Sequence, residues 1–183
     1  MAPYLIQKAD WAEHYALGAN VNYVNTVQQY VGEAQLHDLR PIISKKFYNE
    51  VMEVAASGVD SANGKLTKAN YDLLLPYLKP IITLYAIARY IVMSGSTSTR
   101  YGVVTKQNDY SDPMTPTEKR ALAANHKSNA VTYVDDMLEF LEENSAKYPS
   151  ATSDKARDRR SCQNHASTAR PGSHPQGTSQ NQN

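Results

Sequence analysis

A chain of 183 residues with 41% hydrophobic content is long enough for one domain with a core, or for one domain and a tail. A formal net charge of +1 excludes a global electrostatic attraction to nucleic acid or membrane, and the single cysteine, Cys162, excludes an internal disulfide and the cysteine-rich zinc patterns. Thirteen tyrosines against two phenylalanines and one tryptophan make the aromatic inventory amphipathic, suited to sealing the edge of a bundle or to interfaces.

Met1 to Ile6 has neither a basic start nor a long apolar run, so no signal peptide is expected. Lys8 to Ala16 places Trp11, Ala12 and Tyr15 on one helical face, with Gly18 as a stop. From about Asn20 to Asp38, Val24, Val27, Val31 and Ala34 recur at three and four, flanked by Tyr23 and Tyr30. Arg40-Pro41 is expected to end that second helix, because the residue before a proline avoids the α region. Ser44 then caps a helix carrying Phe47, Tyr48, Val51 and Val54 that closes at Gly58. The polar run Ser57 to Lys65 reads as a surface loop.

Thr67 caps a short helix holding Leu73 and Leu74, which leads into the most apolar stretch of the chain. From Tyr77 to Met93 the side chains of Leu78, Ile81, Tyr85, Ala88, Ile91 and Val92 form a scaffold covering most of a helical turn, with a thin polar line through Lys79, Thr83 and Arg89. Such a helix belongs at the centre of a bundle. Pro76 is expected to separate it from the short helix before it, and Pro80 to lie in its first turn, where a missing N–H costs little. The apolar run falls short of the roughly 20 residues that a membrane span needs, and Arg89 interrupts it.

Beyond Met93 a Ser/Thr/Gly cluster and the β-type Tyr101 to Thr105 predict one extended excursion over about 95–112. Thr115-Pro116-Thr117-Glu118 is a capping box with proline at the first helical position. The helix it opens, over about 116–145, turns Ala123, Ala130, Val134, Met137, Leu138 and Leu141 inward and Asp135, Asp136, Glu139, Glu142 and Glu143 outward. Residues 150–183 carry five basic and two acidic side chains and no large apolar ones, which predicts a disordered, mildly basic tail; of the chain's 19 basic and 18 acidic residues this leaves 14 and 16 for a mildly acidic body. The fold expected is all-α: five to six helices in one domain over 1–149, around the helix at 77–93.

No phosphate-cradling loop, nucleophile elbow or His-Glu-x-x-His pattern occurs, and His14, His37 and His126 are isolated in sequence. Asp135, Glu139 and Glu142 share a helical face that could hold a hard cation, but a solvated face, or one paired with a neighbouring subunit, is the expected reading, and neither metal nor cofactor is expected. Arg100, Tyr101, Lys106 and Tyr110, with Tyr90, gather rings and positive charge around the non-helical excursion and make it the candidate contact element. The acidic row at 135–143 is the candidate lateral contact.

Taken together, the motifs Leu-Pro-Tyr-Leu-Lys-Pro and Tyr-Ala-Ile-Ala-Arg-Tyr within Tyr71 to Tyr90, Tyr101-Gly102-Val103-Val104, Asn108 to Pro113, and Asp136 to Leu141 running on to Tyr148-Pro149 resemble the helical head-tail connectors of tailed phages and prophages, also called adaptor or neck proteins. Glu33-Ala34-Gln35 and Asp38-Leu39-Arg40-Pro41 fit the same pattern, so the resemblance covers about residues 4–149. Gln7 departs from it by standing where Ser or Thr is usual, and everything after Pro149 falls outside it. The resemblance implies a non-enzymatic virion protein assembled as a ring of identical subunits under the portal, at the neck of the particle, after synthesis in the bacterial cytoplasm. Its implied partners are further copies of itself, the portal protein, a tail or next neck protein, and packaged DNA without sequence preference, with no membrane. The competing reading is a small helical nucleic-acid-binding or regulatory protein, which the mildly acidic body disfavours.

Overall fold

The computed structural model describes residues 3–19, 21–94, 96–99, 102–105 and 114–151, with the stretches 96–99 and 102–105 described as backbone only. The expected contact residues Arg100, Tyr101, Lys106 and Tyr110, and the expected tail beyond Ala151, lie outside them. The architecture is predominantly helical, and no helix among the described residues is long and apolar enough to cross a membrane.

Helix α1, Lys8–Ala12, is shorter than its periodicity suggests. The Gln7 amide donates to Asp10 Oδ2 at 2.8 Å, the acidic half of a capping box, which satisfies the amide of the residue before the first turn. Trp11 is fully buried, whereas Ala12 is exposed; Tyr15 still packs edge-on against the indole from the turn beyond, its amide bonded to the Trp11 carbonyl.

The second helical run starts at Tyr23, with Asn22 accepting from the Asn25 amide, and continues past the expected stop at Pro41 to Ile43. It alternates between π and α turns: π at Tyr23–Val27, α2 at Gln28–Glu33, π at Ala34–Leu39 and α3 at Arg40–Ile43. The second π segment is how the chain passes the proline. The Arg40 amide donates to the Gln35 carbonyl five residues back, and Pro41 follows at the start of α3. Val27, Val31 and Ala34 face the core, but Val24 is exposed.

Helix α4, Lys45–Ser57, has the expected ends: Ser44 accepts from the Phe47 amide and Gly58 closes it in the left-handed region at φ 70°, where a side chain would be strained. The loop after it folds back along the helix. Asn63 donates to Glu50 Oε1 at 2.8 Å and the Ala62 amide donates to Glu53 at 3.0 Å.

Helix α5, Lys68–Met93, is one unbroken element capped by Thr67, and Pro76 and Pro80 both lie inside it. Two interior prolines disfavour a helix by about 3 kcal/mol each. Burial outweighs them: Leu74, Leu78, Ile81, Ile82 and Ile87 are fully enclosed, each stabilising the fold by about 1.5–3 kcal/mol. Of the expected scaffold, Leu78, Ile81, Ala88 and Ile91 are buried. Tyr85 is only half-buried, and Val92 is 42% exposed because it stands 100° round the helix from Ile91 in the last turn, where fewer elements cover α5. The polar line down the helix is paired rather than solvated. Lys79 meets Asp10 at 2.7 Å, Thr83 donates to the Lys79 carbonyl at 2.8 Å, and Arg89 reaches Asp38 through two bonds of 2.8 and 3.1 Å.

Two short strands, β1 at Ser96–Thr99 and β2 at Gly102–Thr105, pair antiparallel with Ser96 opposite Thr105. Helix α6, Pro116–Glu143, opens on the Thr115/Glu118 capping box and returns along α5. Its direction follows from three contacts: Lys119 donates to the Ser94 carbonyl, Phe140 stacks on Tyr77 with ring centroids 4.6 Å apart, and the Tyr148 hydroxyl donates to the Asn70 carbonyl at 2.9 Å. Numbers rise along one helix as they fall along the other, so the pair is antiparallel. The folded body extends slightly past the expected boundary at Pro149, since Ser150 and Ala151 are buried and Ser150 donates to Glu50 at 2.8 Å.

Candidate functional site

Three features stand out on this frame, and the first is the outer side of α6. Asp135, Asp136, Glu139, Glu142 and Glu143 are all exposed there, opposite the buried Ala130, Val134, Met137 and Leu141. The last turn of the helix, the negative end of its dipole, holds no basic residue. Acids at that end are electrostatically unfavourable and are relieved by a cationic neighbour. Among the described residues no group of three or more His, Cys, Asp or Glu side chains is arranged to hold a metal ion, so the row does not form a cation cage.

The second feature is an aromatic cluster that sequence spacing did not bring together. Trp11, Tyr15, Tyr23, Tyr30 and Tyr90 meet edge to face, with centroid separations of 5.8 to 6.4 Å, and His126 of α6 adds its ring at 6.1 Å from Tyr15. Tyr90, read in the sequence as part of the contact excursion, thus belongs to the packed interior edge. Burial, helped by the Asp10 charge, pushes the Tyr23 phenol up to about 12. The His126 Nδ1 is buried without a hydrogen-bond partner, and burial together with His14 lowers its pKa. His14 and His126, isolated in the sequence, are therefore neighbours, while His37 is exposed on the second helical run. Neither bonds to a carboxylate that would orient it as a general base, and the pair reads as packing.

The third feature is a cleft of about 470 Å³ between α1, α5 and α6. Asp10, Glu13 and His14 come from α1 and the turn after it, Asp72, Pro76, Lys79, Pro80 and Thr83 from α5, and Tyr133 from α6. Burial alone would raise the Asp10 carboxyl, but the Lys79 ammonium and the Gln7 amide outweigh it and hold its pKa below the usual value. Asp72 sits on the exposed rim, where Lys68 pairs with it from one turn back. None of these residues was singled out from the sequence as a site. The one local signal was the spacing of Pro76 and Pro80, four apart in an otherwise helical stretch.

A protein-family model matches residues 39–161, that of a family of unknown function (DUF6712). No curated protein and no solved structure matches the chain.

Proposed function

The chain belongs to that family of unknown function, DUF6712, and from its own surface we propose that it is a structural subunit of the head-tail connector kind. In this reading copies of the chain pack side by side as a ring beneath a portal and join a capsid to a tail around the DNA channel. The observation that carries the reading is the acidic row Asp135, Asp136, Glu139 and Glu143 on the outside of α6, laid over a body whose interior is filled by apolar side chains. A ring built head to tail needs one face of each subunit to complement a different face of the next. An unbroken acidic strip at the negative end of a long helix meets that need when the opposing face is basic, and Lys45, Lys46 and Lys65 are exposed on and beside α4. The resemblance of the motif pattern to that of connector proteins supports the same role, and the strand pair between α5 and α6 is the element that would reach the portal or the channel.

Negative-stain imaging of the purified protein, alone and with a phage portal protein, tests this. Rings of uniform diameter, lost when Asp135, Asp136, Glu139 and Glu143 are changed to Lys, are the expected outcome. The double variant Arg100→Ala/Lys106→Ala is expected to disturb particle assembly while leaving the helicity of the isolated chain intact; normal particles from that variant would remove the excursion from the proposed interface.

A further inference from the structure

The charge along α6 divides at its middle. From Lys119 to Val131 the helix carries Lys119, Arg120 and Lys127 and no acid; from Thr132 to Glu143 it carries five acids and no base. Cations toward the first turns and anions in the last ones both oppose the helix dipole, so the order does not serve the helix itself. Lys119 is committed to the Ser94 carbonyl, but among the described residues Arg120, Lys127 and Asp135 take part in no ion pair. One flank of α6 repeats the division residue by residue. Ala124, Lys127, Val131, Asp135 and Leu138 follow one another at intervals of three, four, four and three, which keeps them on one side of the helix. Arg120 and Glu142 extend the row by a further step of four at each end. The spacing is the same read in either direction, and the charges invert about Val131. That valine is 37% exposed, Leu138 is half-buried, and the other members of the row are exposed.

We propose that two copies of the chain pair through this flank of α6, antiparallel, about a two-fold axis at Val131. In that pairing Val131 meets its own counterpart, Leu138 covers Ala124 of the second copy, and Lys127 meets Asp135 of the second copy. Arg120 comes level with Glu142 at the ends of the seam. A two-fold contact is isologous, so each of these pairs forms twice. The charge order is what selects the occupant: a parallel copy would set base on base and acid on acid, whereas the reversed copy matches every position with its complement. The row runs about 33 Å from Arg120 to Glu142 at 1.5 Å per residue, with a small apolar centre and charged ends, which suits a reversible pair at the low end of interface sizes. This contact differs from the lateral one proposed above, which sets the outer acids against the lysines of α4, and it does not depend on it.

The test is sedimentation equilibrium of the full-length chain over a concentration series, with Lys127→Glu, Asp135→Lys and the double variant Lys127→Glu/Asp135→Lys, each checked for unchanged helicity by circular dichroism. Either single change sets like charges against each other twice in the dimer and should weaken association at least tenfold. The double variant reverses the order and is again self-complementary, so it should return to within about threefold of wild type. The lateral contact with α4 predicts no such rescue, because Lys127 has no part in it. A second readout places a cysteine on the axis: in a Cys162→Ser background, Val131→Cys should give a disulfide-linked dimer under mild oxidation, whereas Asn125→Cys, exposed on another side of α6, should not. A double variant as weak as the single ones, or a cysteine at position 131 that links no faster than one at 125, would overturn the proposal. A chain that pairs in this way and builds nothing larger would sink the ring reading and leave this one standing; rings without a cross-link at position 131 would do the reverse.

Discussion

At the scale of single residues the chain places polar groups inside and then satisfies them, with a few informative exceptions. Glu50 is 4% exposed, and its Oε1 accepts from both Asn63 and Ser150, tying the loop after α4 and the segment after α6 to one carboxylate, while its Oε2 is buried without a partner. Glu50→Ala strips two donors of their acceptor and should cost about 1–3 kcal/mol in urea denaturation, with faster amide exchange at Ser150 than elsewhere in the body. His126 is the second exception. Burial, with a smaller contribution from His14, favours the neutral ring and depresses its pKa. The unfolded chain therefore takes up a proton more readily than the folded one. Stability is highest above the ordinary histidine value of about 6.5 and is lost as pH falls through it toward the folded pKa. A urea midpoint that drops between pH 7.5 and 5.5 in the wild type, and drops less in His126→Gln, is the expected pattern; parallel drops would assign the acid sensitivity to other groups.

At the scale of elements the sequence is most legible where local chemistry and tertiary packing agree. The Thr115/Glu118 box starts α6, and Ser44 and Gly58 bound α4, because a side-chain cap and a left-handed glycine act within one turn and need no distant partner. Thr115→Ala should accordingly cost about 1 kcal/mol and fray the first turn of α6, measurable by thermal denaturation. The prolines are where local rules misled. Read alone, Pro41 ends a helix and Pro76 divides one; in the fold a π turn carries the chain through the first, and burial on several sides of α5 overrides the second. Pro76→Ala/Pro80→Ala should raise the melting temperature, since the regained helical propensity of about 3 kcal/mol per site exceeds the roughly 0.4–1 kcal/mol of unfolded-chain entropy that a proline removes. A lower melting temperature would mean that the prolines pack better than alanine can.

At the scale of the whole molecule, α5 is the axis, α6 runs back along it, and the N-terminal elements and α4 cover much of what α6 leaves open. The burial of much of α5 was readable from the apolar composition of Tyr77 to Met93. The cleft was not readable, because its residues come from positions as far apart as Asp10 and Tyr133 and only the antiparallel return of α6 brings them together. The aromatic cluster around Trp11 was hidden for the same reason. The outer acids of α6 were visible in the sequence as a periodic row, and the fold leaves them facing outward on a rigid support. The proposed role of these acids in assembly is tested by the mass of the particle in solution, measured by analytical ultracentrifugation of the wild-type chain and of the variant with Asp135, Asp136, Glu139 and Glu143 changed to Lys. A closed oligomer of single defined mass for the wild type, reduced to monomer in the variant at unchanged helicity, is the result expected. A wild-type chain that stays monomeric at high concentration and in the presence of a portal protein would contradict it.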